Sequence, residues 1–269
     1  MVATRLRVLV IFVLPLALCT CGERSSSPEP AVMTAHGGVS LRVFQVRTPA
    51  LRVPDYTTRG AYPQVRAAGE DLGAVNAGLR AAFLGGERAF STIALQQERA
   101  VPADPGDPGQ FETSPRRSLT SASSVVVSTL IPAIERFPGG NDGGEWLSAT
   151  VRGPSGTRVE ILDLFSPPSR GLAALARAAR KYGVANNRCV AYSVHSEFGR
   201  TFLRRFSPTL RHYRNFALLP DGLAVGFGTG EVTIPTCGRI LVTVPYRTLR
   251  PYLSELGRTL TAAVRPPRP

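Results

Sequence analysis

The chain is 269 residues long, 43% hydrophobic, and carries a formal charge of +13. That hydrophobic fraction is ordinary for a globular protein, and the length allows one large or two small domains with a proper core. The charge is almost all arginine, Lys181 being the sole lysine; it attracts anionic polymers and lipid head groups, while three histidines sharply limit catalytic and metal-binding options.

Arg5 and Arg7 precede an apolar run over residues 8–18 that is too short to span a bilayer as a permanent helix, and a polar Ser/Pro-rich tract follows. This pattern predicts an export signal over 1–21 and a flexible tether over 22–38. The residues before Cys19 and Cys21 do not match the usual lipoprotein box well, yet the spacer behind them favours acylation at Cys21. The expected location is extracytoplasmic: lipid-anchored at the outer face of the cell membrane, or secreted after simple cleavage. Removing Arg5 and Arg7 takes the charge from +13 to +11. In an exported chain the expected partners are anionic cell-wall polymer, lipid head groups or an exported protein, and not nucleic acid.

Residues 39–48 alternate as a strand, and 51–53 with Tyr62-Pro63-Gln64-Val65 read as a second, interrupted one. Leu72, Val75, Leu79, Ala82 and Phe83 recur at helical spacing, Gly85-Gly86 interrupts, and Phe90 and Ile93 resume, which predicts a kinked or two-part helix ending near Ala100. The Pro/Gly-rich stretch from Pro102 marks a boundary, with a linker expected over 102–119. Strands are expected over 121–129 and 144–152 around a glycine-rich turn, then a tight turn at Ser155-Gly156 and the segment 158–165. A helix from Leu172 to Tyr182 should stop at Gly183. Pro220-Asp221-Gly222 between 216–219 and 223–227 signals a hairpin. A strand over 240–244 and one closing amphipathic helix, Leu249 to Val264 with Pro251 in its first turn, complete the chain. This order argues for an α+β fold with a mixed or antiparallel sheet and packed helices, in two subdomains, 39–101 and 120–265.

Tyr62-Pro63-Gln64, a helix bearing Asn76, Ser124-Val125-Val126-Val127, Gly139-Gly140, Ile161-Leu162-Asp163-Leu164-Phe165, Leu219-Pro220-Asp221-Gly222-Leu223 and Val244-Pro245-Tyr246 with Leu249 occur in a telling order. The set resembles the RsiV-type extracytoplasmic domain preceded by a PdaC-like domain, over most of the chain from residue 39. Relatives include the sensor part of a lysozyme-responsive anti-sigma factor, a domain beside a peptidoglycan deacetylase and secreted mycobacterial antigens. The resemblance therefore implies an envelope role. The chain departs from the anti-sigma factor in having only seven residues before the apolar run, and from the deacetylases in lacking an acidic pair with a His-x-x-x-His partner. After Gly139-Gly140 it continues as Asn141-Asp142-Gly143, so a histidine role at that turn does not carry over.

No Gly-x-Ser-x-Gly elbow or phosphate-cradling loop is present, no cofactor is implied, and His36, His195 and His212 lack metal-ligand spacing. Asp163 is read as ordering a turn, Glu70 and Asp71 as favouring a helix start, and His195 with Glu197 as solvated. Trp146, alone on a predicted strand, is read as a core anchor. The distinctive segment interleaves Arg200, Arg204, Arg205, Arg211 and Arg214 with aromatics. Two readings stay open: guanidiniums and rings gripping an anionic ligand, or Phe198, Phe202 and Phe206 facing the core with arginines in water. Cys189 and Cys237 are the remaining cysteines of the folded part and, in an oxidising compartment, are expected to pair across about 49 residues.

These readings converge on a non-enzymatic envelope protein that binds a wall component or an exported protein. The alternatives are a hydrolase working through a carboxylate such as Asp163, or a deacetylase-associated protein, acting on wall polymers, and a lysozyme sensor. Like net charges oppose the sensor, because animal-type lysozymes are also basic.

Overall fold

The computed structural model describes residues 32–34, 40–47, 52–53, 56–67, 69–100, 109–113, 118–137 and 143–265. The expected signal over 1–21, Cys21, His36 and the tip of the glycine-rich turn lie outside them. The fold is α+β. Strands β1 (Val32–Thr34), β2 (Ser40–Arg47), β3 (Arg52–Val53), β4 (Tyr56–Arg59) and β5 (Ala61–Arg66) lead into α1 (Gly73–Ala100), followed by β6 (Gly109–Thr113), β7 (Leu119–Ala122), β8 (Val126–Arg136) and β9 (Gly143–Arg152). Then come α2 (Pro168–Asn186), α3 (Arg188–His195), α4 (Gly199–Arg205), α5 (Leu210–Tyr213), β10 (Phe216–Leu219), β11 (Gly222–Phe227), β12 (Ile240–Val244), α6 (Tyr246–Leu249) and α7 (Glu255–Ala263).

The long strand β8 organises the larger sheet. Along one edge it pairs with β9 from Val126↔Arg152 to Glu135↔Gly143; along the other it takes β7 and then β6, all antiparallel. β6 continues to β4 in a parallel pairing, so the sheet is mixed. β1, β2 and β5 form one antiparallel sheet and β10, β11 and β12 another. Helix α1 lays Val75, Leu79 and Phe83 on Val127, Ile131, Ala149 and Val151, giving one cluster drawn from both sides of the expected domain boundary. On the opposite face Leu130 and Trp146 meet Ala217 and Ala224 of the β10–β12 sheet. That sheet buries Leu218, Leu223, Val225, Val242 and Val244 against Leu175, Ala179 and the C-terminal helices. Period-2 burial thus divides the strands of the small sheet between two packing partners.

The free edge of β5 is closed by three different devices. Ala61 exchanges hydrogen bonds with the Thr113 hydroxyl, at 2.9 and 3.2 Å. Pro63 has no N–H to satisfy. Val65 donates to Asn76 Oδ1 at 2.8 Å and accepts from its Nδ2 at 2.9 Å, which docks α1 on the strand. The free edge of β10 is closed in the same way: Leu218 N–H donates to Ser128 Oγ at 2.8 Å, and its carbonyl accepts from Ser121 Oγ.

Several local expectations are corrected. Residues 32–34 pair with β2 rather than joining the tether, and 109–113 form β6 inside the expected linker. The 121–129 strand is broken: Ser123 Oγ accepts from the N–H groups of Val125 and Val126, turning β7 back on β8. Asp163 orders a turn as read: 161–164 is a single 3-10 turn in which it accepts from Glu160 N–H at 2.8 Å. The closing helix is three pieces, because Arg250-Pro251-Tyr252 tightens into a 3-10 turn, Leu253 bridges to Phe165, and Ser254 starts α7 by accepting from Gly257 N–H.

Gly78, Gly86 and Gly183 serve close packing rather than kinks or stops. α1 runs unbroken through Gly85-Gly86, and a Cβ on Gly86 would come within 2.6 Å of Leu147. α2 continues past Gly183, which faces Val190 and Val242. At Gly78 a Cβ would lie 2.4 Å from the carbonyl oxygen of Gly156, itself held at φ +68 in the predicted Ser155-Gly156 turn. Cys189 and Cys237 are bonded, with Cα atoms 6.0 Å apart, tying α3 to the turn before β12.

Two stability outcomes follow from this packing. Gly78→Ala should destabilise the fold by about 1–3 kcal/mol, since backbone must move, whereas Gly85→Ala, with nothing within 4 Å, should stabilise it by up to about 1 kcal/mol. Urea denaturation of the two variants checks the opposite signs. Replacing Cys189 and Cys237 by serine should cost about 4 kcal/mol by loop entropy, read as a lower thermal midpoint that reducing agent reproduces in the parent chain.

Candidate functional site

Three of the five predicted arginines meet in one cleft. Arg205 ends α4, Arg211 lies in α5 and Arg214 follows it; together with His212, Glu145 and Glu231 they line a cavity of about 420 Å³. The anchors are the apolar members of the same segment. Phe202 and Phe206 are buried, Phe206 and Tyr213 pack edge-on to Phe227, and the Tyr213 hydroxyl donates to the Phe206 carbonyl at 3.1 Å. The arginines between these anchors therefore emerge on the outside of the turn. Arg205 is held further by a hydrogen bond to the Gly230 carbonyl and lies over the Phe202 ring, 5.1 Å from its centroid.

The remaining predicted residues go elsewhere. Arg200 is exposed on α4 and does not line the cleft, and Arg204 faces a different groove with Arg177 and Arg180. Phe198, which one of the two open readings put in the core, is 61% exposed, because Gly199 and Phe202 occupy the inward positions. Trp146 is buried, with Arg239 over its ring. His195 and Glu197 are exposed. Among the described residues no group of three or more His, Cys, Asp or Glu is placed to hold a metal, and no helix is long and apolar enough to cross a membrane.

Sequence reasoning missed the acidic wall. Glu231 accepts from or pairs with His212 Nδ1 at 2.9 Å, and its other oxygen accepts from Gly228 N–H at 2.8 Å, which fixes the imidazole at the rim. Glu145 and Glu135 are diagonal neighbours across β9 and β8. Burial, and then the neighbouring Glu231, raise the Glu145 carboxyl above the usual range, opposed by Arg214, the Trp146 N–H and Arg211. Burial and Glu145 push Glu135 up to about 7, against the pull of Arg214. These acids come from β8, β9 and the loop after β11, with no shared spacing that could have announced them. Only His212, inside the arginine-rich segment, carried a local signal.

No family model and no curated protein matches the sequence. Among solved structures the fold is similar to a DUF3298 family protein from Pseudomonas aeruginosa PAO1, with a TM-score of 0.51 and 11% identity, over 86% of this chain and 98% of that one. A DUF3298 family member from Bacteroides fragilis NCTC 9343 gives a TM-score of 0.49 and 12% identity, over 86% and 99%. At this identity the Pseudomonas likeness shows the fold alone: a chain built like DUF3298 proteins, a domain of unknown function.

The raised carboxyl predicts a pH dependence. The native state keeps the Glu135 proton that the unfolded chain releases above 4.5, so this stabilising contribution is full below 4.5 and lost as the pH rises through 7. Between these limits the loss is on the order of 3 kcal/mol. Urea midpoints measured across that window should fall with rising pH in the parent chain, and the slope should flatten in Glu135→Gln.

Proposed function

We propose that this chain is an exported, non-enzymatic envelope protein that binds an anionic cell-wall component in the cleft of Arg205, Arg211 and Arg214. The observation that carries the reading is the convergence of three guanidiniums, from α4, α5 and the turn after it, on one concave surface. Arginine forks pair bidentately with carboxylate or phosphate, and the His212–Glu231 pair and Glu145 supply acceptors for hydroxyl or amine groups on the same ligand. A wall fragment carries both kinds of group. The leader-like N-terminus and the resemblance to RsiV-type and PdaC-like extracytoplasmic domains support the location. The binding reading is favoured over the hydrolase one in that Asp163 is exposed and accepts from Glu160 N–H in its own turn.

Retention of the purified chain on a cell-wall preparation tests the reading. Binding should weaken as salt rises, and Arg211→Gln with Arg214→Gln should lower affinity about tenfold or more. No retention at low salt, or retention indifferent to both substitutions, would sink it.

A further inference from the structure

A second cleft, on the other side of the arginine segment in sequence, has a simpler electrostatic character. Arg247 of α6, Arg250, Arg258 of α7 and Arg265 line a cavity of about 380 Å³ floored by buried Tyr246 and Leu253. No carboxylate lines it, and none of the four arginines makes an ion pair within 4.0 Å with a described residue. The first cleft, by contrast, sets two glutamates against its three arginines. An acid that acts on Tyr246, Asp221 of the β10–β11 turn, does not line the cavity.

Two of the four guanidiniums are already positioned. Arg258 Nη1 donates to the Leu253 carbonyl at 2.8 Å, and Arg265 lies over the Tyr246 ring, 4.9 Å from its centroid. Each keeps further N–H donors, since a guanidinium has five. Arg247 and Arg250 are exposed, as are Arg258 and Arg265, and Arg247 also meets the Tyr182 hydroxyl. Four like charges around one apolar floor repel one another, and the buried floor weakens local screening, so an anion that bridges them is favoured over water. Several forks around one small cavity call for an anion with more acceptor oxygens and charge than a single carboxylate presents.

We infer that this arginine quartet is a binding site for a phosphate group. The chemistry is shared by a soluble phosphate-bearing polymer and a phospholipid head group, and it does not depend on what the first cleft binds.

Calorimetric titration of the purified chain with pyrophosphate, alongside co-sedimentation with vesicles of phosphatidylglycerol in phosphatidylcholine and of phosphatidylcholine alone, tests the site. Arg247→Gln with Arg250→Gln removes two exposed donors without touching the Tyr246 and Leu253 contacts, and should lower phosphate affinity about tenfold or more. The Arg211→Gln, Arg214→Gln chain loses the same charge elsewhere and should keep it, so the two clefts stand or fall separately. Pyrophosphate binding with this dependence and no vesicle binding assigns soluble phosphate. Vesicle binding that needs both phosphatidylglycerol and the quartet assigns the head group. Binding to neither probe, or binding that follows Arg211 and Arg214 rather than Arg247 and Arg250, would overturn the inference.

Discussion

The architecture depends on closing two strand edges inside the protein. A strand at the margin of a sheet presents N–H and C=O groups on one side, and burying them without partners costs more than a hydrogen bond gains. β5 and β10 are both such margins, and each is closed by side chains instead of another strand. Thr113 and Asn76 serve Ala61 and Val65, with Pro63 between them having no N–H to satisfy, and Ser128 and Ser121 take both backbone groups of Leu218. The first set binds α1 to the sheet it covers. The second sets the small sheet on the large one, and Ser128 is itself tied to Thr150 across β8 and β9.

Once those edges are fixed, the helical layer has only one way to face. Leu172, Leu175 and Ala179 of α2 fill the outer side of β10–β12, and the α3–α5 region wraps around Phe227 through Phe206 and Tyr213. Ser193 is the buried polar exception, accepting from Ile234 N–H, while Arg188, Arg200, Arg204 and Arg211 are exposed. From residue 168 to 213 the chain has nine cationic side chains and Glu197 as its single acid, so the outer face is basic by construction. The disulfide pins α3 to the turn before β12 and thereby limits how far this charged layer can move from the sheet.

The two clefts differ in what surrounds equal kinds of cation. In the first, Glu145 and Glu231 share the wall with Arg205, Arg211 and Arg214, and burial, then a neighbouring carboxylate, makes ionisation costly for Glu135 and Glu145. In the second, Arg247, Arg250, Arg258 and Arg265 have no such counterweight. Fork-shaped donors opposed by carboxylates suit a ligand with mixed groups; unopposed ones suit a compact anion.

Where the sequence was informative, the physics was local. The segments 216–219 and 223–227 flanking the Pro220-Asp221-Gly222 turn, and the strand expected over 240–244, rest on short-range signals, and the strands and hairpin lie where those signals put them. The α+β class, the Cys189–Cys237 pair and the burial of Phe202, Phe206 and Trp146 were legible for the same reason: periodicity and residue chemistry decide them before any neighbour is known. Misread positions depended on a remote partner. Gly86 and Gly183 look like breaks until Leu147 and Val242 arrive beside them, Ser123 looks like strand until its hydroxyl finds two backbone donors, and residues 109–113 look like linker until β4 and β8 flank them. The clefts belong to this second kind. Sequence determined that arginines and aromatics would alternate at 198–214; only tertiary packing decided that Phe202 and Phe206 but not Phe198 go inward, and that Arg205, Arg211 and Arg214 share a wall with Glu145 and Glu231 while Arg200 and Arg204 turn away, because a cavity is made by elements far apart in the chain.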